Sequence, residues 1–306
     1  MRVITIFTFL FCLFLGCNSS KRLTIDDYHK TVLPPNCVKI KKNLFCDQTE
    51  ISNLQWLEYL FWIEGVYGKD SKAYKSSLPD TTVWTKFGNC LKGFDSNYLR
   101  QPAYRDYPVV GVSQNQAKEF AEWRSDRVFE SRLVELGVIE YDTNQTPQNH
   151  FTVERFFTKM IDTSAINSGE VHYPHFRLPT FNDRSVILNY SDSVDTEYFN
   201  SCKSTFCKEM RVEFPKFISD RNPCDIPNKY DNPTIKIHEG WFAETNHSIY
   251  NLRGNVSEWS AEENITVGGG WINEREVILK QDTFQTQKPN AWTGFRNVCE
   301  WRTWSE

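Results

Sequence analysis

Residues 249–259 read Ile-Tyr-Asn-Leu-Arg-Gly-Asn-Val-Ser-Glu-Trp, and this stretch decides the fold. It combines a glycine, several oxygen-bearing side chains and a large aromatic residue. A glycine in a loop lets backbone carbonyls turn inward, and Ca²⁺ prefers hard oxygen ligands. Two interpretations are open. Asn251 and Glu258 either help to hold a cation, or they brace the loop by hydrogen bonds while Trp259 fills the core.

Four further motifs accompany this stretch along the chain. They are Cys46–Asn53 with the aromatic run Trp56–Phe61, Tyr107–Ser113 with Ala117 and Trp123, Phe176–Thr180, and Gly268–Trp271 with Thr293–Arg296. The five motifs, in this order, resemble those of the formylglycine-generating enzyme (sulfatase-modifying factor) family from about Cys37 to Cys299. The resemblance implies a single α+β domain with a C-type-lectin-like fold and much irregular structure.

Local patterns agree with a mixed chain. Capping boxes at Ser52–Gln55, Ser113–Gln116 and Thr180–Asp183 each predict a helix start. We expect the first helix to stop at Gly65 and the second to run to about Leu136. The domain is expected to span residues 37–306, with long insertions near 138–172 and 190–246. Strands and helices do not alternate as they would in a doubly wound sheet.

The first residues predict that the protein is located in a bacterial cell envelope. Residues 1–16 combine a basic start with a short apolar run, which is typical of a signal peptide. Phe14-Leu15-Gly16-Cys17 resembles a lipobox, so we expect lipidation of Cys17 and a tether over residues 17–36. A plain signal peptide cut nearby is the alternative. The lipid would anchor the protein in a membrane, most simply the outer membrane.

The chemistry of the family is not expected here. Its catalytic members hold copper with two cysteines, which follow a Gly-Gly-Ser motif by three and eight residues. The corresponding residues are Asn273 and Ile278, which have no thiolate, so the sequence predicts no copper and no formylglycine-forming activity. Cys202 and Cys207 have a similar spacing upstream. The expected interpretation is a local disulfide or two bridges that pin the insertion, and a rebuilt copper site in a divergent oxidase is the alternative.

The resemblance also implies one structural calcium site. Carried over residue by residue, its ligands are Asn251, Gly254, Val256 and Glu258. The family's second calcium site has no match in this chain.

The charge and a second, narrower resemblance bear on partners. The chain has 35 Lys and Arg against 39 Asp and Glu with no basic block, which argues against nucleic-acid binding. Glu122-Trp-Arg-Ser-Asp-Arg127, together with the lipobox, resembles the gliding-motility and type IX secretion lipoproteins of the GldK/PorK and GldJ type. That resemblance implies a non-catalytic subunit that contacts envelope proteins.

A lectin-like module that binds a glycan or a peptide is the alternative function. The aromatic C-terminal segment Glu300–Glu306 is either a docking segment or packs back onto the domain.

Overall fold

The computed structural model describes residues 28–161, 171–201, 233–239 and 247–304. The expected signal peptide, Cys17, Cys202 and Cys207 lie outside these ranges. So do most of the tether and most of the second expected insertion.

The first sheet joins the two ends of the domain. It consists of β1 (Cys37–Lys41), β2 (Leu44–Asp47), β3 (His172–Arg177) and β8 (Val298–Thr303). The strand order is β1-β2-β8-β3, and every pairing is antiparallel. Pro174 lies in β3, where an edge strand tolerates a residue that lacks a backbone N–H. Because β8 lies between β2 and β3, the C-terminal strand closes the domain.

The second sheet carries the decisive stretch. It contains β4 (Ser257–Trp259), β5 (Ile265–Val267), β6 (Thr283–Gln285) and β7 (Thr293–Gly294). Its order is β6-β5-β4-β7, with β4 and β7 parallel and the other pairs antiparallel. Every residue of β4 is buried. The end of the 249–259 stretch is therefore a short central strand.

Helices surround the two sheets. They are α1 (Tyr28–Thr31), α2 (Asn53–Tyr67), α3 (Lys72–Ser77), α4 (Phe94–Asn97), α5 (Gln114–Glu135), α6 (Val153–Ile161), α7 (Phe181–Ser201) and α8 (Arg275–Lys280), with 3₁₀ turns at Thr81–Leu91 and Pro102–Tyr104. The described part of the chain is thus a mixed α+β domain, as predicted. None of its helices is both long and apolar enough to cross a bilayer.

The three predicted capping boxes are present. Ser52 and Ser113 cap α2 and α5, and in each case the glutamine three residues later accepts a hydrogen bond from the cap backbone. At α7, the Thr180 hydroxyl accepts from the backbone N–H of Asp183, and the Asp183 carboxylate accepts from the backbone N–H of Thr180. These local patterns fix helix starts because each satisfies two otherwise free N–H groups.

One predicted helix end is wrong. The helix α2 continues through Gly65 to Tyr67 and ends at Gly68, whose φ of 85° lies in the left-handed region. A glycine inside a helix is tolerated at a modest cost, so Gly65 is no stop signal. The helix α7 continues to Ser201. The boundary expected near residue 190 therefore falls inside a helix.

The aromatic residues form the core between α2, α5 and the last strands. Trp56 stacks on Phe120 with ring centroids 5.5 Å apart, and both rings meet Phe295 edge-on. At the C-terminus, Trp301 is buried in β8, and Trp304 stacks on Phe157 at 5.4 Å. Of the two alternatives for Glu300–Glu306, these aromatic residues follow the second and pack back onto the domain, where their large apolar rings are buried.

Candidate functional site

The loop that precedes β4 is shaped by left-handed residues. Asn251, Gly254 and Asn255 have φ values of 52°, 81° and 54°. Asparagine is among the few residues with a side chain that adopt this conformation readily. The backbone N–H of Gly254 donates to the Gly268 carbonyl at 3.0 Å. The loop is therefore held against the glycine-rich segment that follows β5.

Glu258 forms a fully buried ion pair. Arg296 approaches one carboxylate oxygen through Nε at 2.7 Å and through a terminal nitrogen at 2.5 Å, and both side chains are 1% exposed. Burial alone would lower the pKa of Arg296, but the Glu258 carboxylate outweighs it, and the pKa lies above its ordinary value. Arg184 lies 3.6 Å from the second Glu258 oxygen. One carboxylate therefore faces two guanidinium groups.

A second buried carboxylate organises the two asparagines. Glu50 is fully buried and accepts hydrogen bonds from Asn255 at 2.9 Å and from Asn251 at 3.2 Å. Burial raises the pKa of Glu50 to about 7, with the nearby Glu258 carboxylate adding to the rise. The side-chain oxygen of Asn255 accepts from the backbone of Ile235 at 2.9 Å. Glu50 thus connects the segment after β2 with the 249–259 loop, and its two asparagine partners connect that loop with residues 233–239.

A third buried group, Asp47, ties the first sheet to α5. Arg124 binds its two oxygens at 2.7 and 2.8 Å, and the backbone N–H of Asn297 donates to it at 2.9 Å. Burial alone would lower the pKa of Arg124, but the Asp47 carboxylate has the larger effect, so the pKa of the guanidinium lies above its ordinary value. A bidentate pair of this kind fixes geometry as well as charge. We name the buried carboxylates Asp47, Glu50 and Glu258, together with their partners, the polar centre.

A comparison with protein families gives a match over most of the chain. The sulfatase-modifying factor enzyme 1-like domain matches residues 18–301. The chain belongs to this family. A separate comparison with curated proteins gives no match. The sulfatase-modifying-factor domain therefore contains all five motifs, and the polar centre joins three of them.

In this sulfatase-modifying-factor domain, Asn273 and Ile278 were aligned from the sequence with the family's copper cysteines. Both residues make structural contacts. The Asn273 side chain accepts a hydrogen bond from the Gly270 backbone at 2.8 Å, which closes the turn. Ile278 is buried on α8, and a Cβ added to Gly269 would lie 2.6 Å from its Cγ1 atom. A Cβ at Gly270 would lie 2.6 Å from the Trp292 carbonyl oxygen. The loop therefore leaves no room for the family's serine at residue 270.

The described thiols lie elsewhere. Cys37, Cys46 and Cys299 are free and buried in the first sheet, whereas Cys90 is disulfide-bonded. Burial raises the pKa of Cys46 to about 12, and it also raises the pKa of Cys37 and of Cys299. Nucleophilic attack requires a thiolate, so burial keeps these three thiols in the protonated, poorly nucleophilic form.

The residues expected to hold calcium fit that ion in part. Asn251 Oδ1 and one Glu258 oxygen are buried, and the described residues give neither a hydrogen-bond donor. An acceptor of this kind on Asn251 suits Ca²⁺. Glu258 does not fit, because Arg296 and Arg184 already supply positive charge at its oxygens. Across the described ranges, no three His, Cys, Asp or Glu side chains are grouped to hold a metal.

Two important residues were not assigned a role from the sequence. Glu50 and Arg296 each lie inside a motif, yet their partners are 201 and 38 residues away in the chain. No local spacing links them. Composition gave no signal for Glu50 either, because its motif Cys46–Asn53 is mostly polar.

Proposed function

We propose that this protein is a non-catalytic, lipid-anchored envelope protein whose domain acts as a structural or interaction subunit. The use of Asn273 and Ile278 for turn closure and packing carries this proposal, because it replaces the chemistry of the family with structural contacts. The buried ion pairs support it further. They give the domain a rigid frame, on which loops and helix faces can meet a partner.

We further propose that the assembly belongs to gliding motility or type IX secretion and that the fold is related to C-type lectins. The motif Glu122–Arg127 supports the first idea, since its residues link α5 to its surroundings. Arg124 pairs with Asp47, and Ser125 accepts from the backbone of Phe176 at 2.8 Å. Asp126 accepts from the backbone of Val153 at 2.8 Å. A branch that shares this motif would share this architecture.

The membrane anchor is tested by metabolic labelling with an alkyne fatty acid. We expect the wild-type chain to take up label and Cys17→Ser to lose it. The matched control is Cys12→Ser, which alters another cysteine of the same leader and should keep the label. Equal labelling of both variants would contradict lipidation at Cys17.

The interaction role is tested by purification of the lipidated chain from its own cells in mild detergent. A stoichiometric envelope protein should accompany it. A chain that elutes as a strict monomer with no partner would overturn this role.

The absence of activity needs a separate test. After reconstitution with copper under reducing conditions, we expect no stoichiometric copper and no loss of the thiol from a sulfatase cysteine peptide. Stoichiometric copper that disappears in the Cys202→Ser, Cys207→Ser double variant would support the oxidase alternative instead.

Calcium stays a proposal for the 249–259 loop. Asn251 would supply a side-chain oxygen, and the carbonyls of Gly254 and Val256 would complete the set with solvent. Calcium should then raise the melting temperature, and Asn251→Ala should remove this response. An identical melting temperature in calcium and in chelator would contradict the proposal.

A further inference from the structure

The hairpin of β1 and β2 carries three exposed lysines, Lys39, Lys41 and Lys42. The register shifts between Lys39 and Lys41, which pair with Phe45 and Leu44, so these two side chains lie on opposite faces of the sheet. The strand β1 is at an edge of the first sheet, and no further described strand pairs with its outer side. None of the three lysines forms an ion pair with another described residue. We name Lys39, Lys41 and Lys42 the basic hairpin.

The basic hairpin lies at the end of the first sheet where the expected tether enters the domain. The side chain of Asn43, in the turn of the hairpin, accepts from the backbone N–H of Trp301 and donates to its carbonyl, both at 2.9 Å. The ring of Trp301 meets the ring of Tyr28 edge-on, with centroids 5.2 Å apart. Tyr28 is the first residue of α1 and is buried. The hairpin turn and the start of α1 therefore contact the same residue.

The chain between the expected anchor and the domain is short. Tyr28 follows Cys17 by eleven positions, so their Cα atoms are at most roughly 40 Å apart. A lipid on Cys17 would therefore keep this end of the sheet within that distance of the membrane. Residues 18–27 contain two basic and two acidic residues, so they add no net charge. The positive charge next to the anchor then comes from the basic hairpin.

Two acidic residues near this end of the sheet are already paired. Glu300 on β8 pairs with both Arg177 and Arg302. Glu135, at the end of α5, pairs with Arg132 at 2.5 Å. Arg132 is close enough to α1 to oppose the rise that burial causes in the pKa of its tyrosine. Neither carboxylate is thus left to neutralise a lysine of the basic hairpin.

We propose that the basic hairpin rests on the anionic phospholipid headgroups of the membrane that holds the anchor. Reach and charge together select this occupant. Each lysine close to an anionic bilayer favours contact about fivefold, so three lysines favour it by roughly a hundredfold. The whole chain is acidic, with 39 Asp and Glu against 35 Lys and Arg, so the hairpin also sets the orientation of the domain. The inference rests on the proposed lipid anchor, to which it adds a membrane-facing surface and a lipid class.

Lysine acetylation on vesicles tests this contact. The purified lipidated chain is inserted into vesicles of phosphatidylcholine, either pure or mixed with phosphatidylglycerol, and an N-hydroxysuccinimide ester of acetate modifies exposed lysines. Mass spectrometry then gives the rate at each lysine. On the anionic vesicles, we expect the basic hairpin to react at least about fivefold more slowly than on the neutral ones, and to recover at high salt.

Lys118 is the internal control for orientation. It is exposed near the start of α5, fourteen residues before Arg132 and therefore roughly 21 Å from it along the helix. Its acetylation rate should be the same on both kinds of vesicle.

Charge variants test the cause of the protection. In the Lys39→Gln, Lys41→Gln double variant, Lys42 remains as the reporter, and its protection on anionic vesicles should fall below about twofold. The matched control is Lys69→Gln, Lys118→Gln, which removes two exposed lysines elsewhere and should leave the protection of Lys42 unchanged. Thermal unfolding should be the same in both variants, because the altered side chains are exposed.

Several results would overturn the membrane contact. Equal acetylation of the basic hairpin on both kinds of vesicle would leave its lysines only the role of blocking strand pairing at the β1 edge. Protection on neutral vesicles, or equal protection of Lys118, would show that neither charge nor this surface is responsible. Protection in cells but not on vesicles would indicate a protein occupant instead.

The intact mass of the purified chain separates these results from failure of the anchor. A chain that carries no lipid refutes the proposed anchor, and the membrane contact falls with it. A lipidated chain that inserts into anionic vesicles with a fully reactive hairpin refutes the contact alone.

Discussion

Removal of the Arg296 guanidinium is the sharpest test of the buried polar centre. Arg296→Met keeps much of the side-chain length and leaves Glu258 as a buried charge. It also removes the donor that reaches the Tyr250 carbonyl at 2.7 Å. Breaking one side of a buried pair costs about 3–5 kcal/mol. At ~2–4 °C per kcal/mol for a domain of this size, the melting temperature should fall by roughly 6–20 °C.

The assay is urea unfolding followed by tryptophan fluorescence, with the free energy of unfolding compared between variants. Arg302→Met is the matched control, because Arg302 is 44% exposed and pairs with the partly exposed Glu300. Its cost should stay within about 1 kcal/mol.

A double-mutant cycle then isolates the pair. Arg296→Met combined with Glu258→Gln should recover at least about 2 kcal/mol relative to the sum of the single changes. Arg184, at 3.6 Å from Glu258, limits the recovery because it loses its own partner. If the two changes add within about 0.5 kcal/mol, the pair is not coupled and the reasoning fails.

Three other predictions follow from the same region. Gly270→Ser should destabilise the domain by about 1–3 kcal/mol, because its Cβ would lie 2.6 Å from the Trp292 carbonyl oxygen, and an unchanged melting temperature would contradict this. The pKa of Glu50 is raised from 4.5 to about 7 in the folded state, so the folded chain holds the proton to higher pH. The free energy of unfolding should therefore fall by about 3 kcal/mol as the pH rises from about 4.5 to about 7. Glu50→Gln should flatten this pH profile, which urea unfolding measures. An equally steep profile in the variant would argue against Glu50 as its cause. The thiols of Cys46 and Cys299 should not react with a disulfide reagent until the chain unfolds, and fast reaction in the native protein would show that they are accessible.

The starts of the helices were predictable because the information is local. At Ser52 and Ser113 the cap and its glutamine are three residues apart, so the pattern is complete within one turn. The end of α2 was not predictable in the same way. The sequence predicts a stop at Gly65, but the helix ends at Gly68, where the backbone leaves the helical conformation with a φ of 85°.

The candidate site was likewise predictable from the sequence only in part. The order of the five motifs predicted the family, and the residues at positions 273 and 278 predicted the departure from its chemistry. The environment of Glu258 was not predictable, since its motif gives no indication that Arg296 and Arg184 approach it. A glutamate such as Glu258 can serve as an oxygen ligand for a cation or as the partner of a guanidinium group, and the sequence alone does not show which.

The sequence by itself determined the family, the helix caps and the absence of cysteine at the two expected copper positions. These are properties of residue type and short spacing. Only the tertiary structure decided that β8 lies between β2 and β3, that Glu50 holds Asn251 and Asn255, and that Phe61 is exposed. The physical reason is that burial and ion pairing depend on contacts between residues far apart in the chain, which no local pattern specifies.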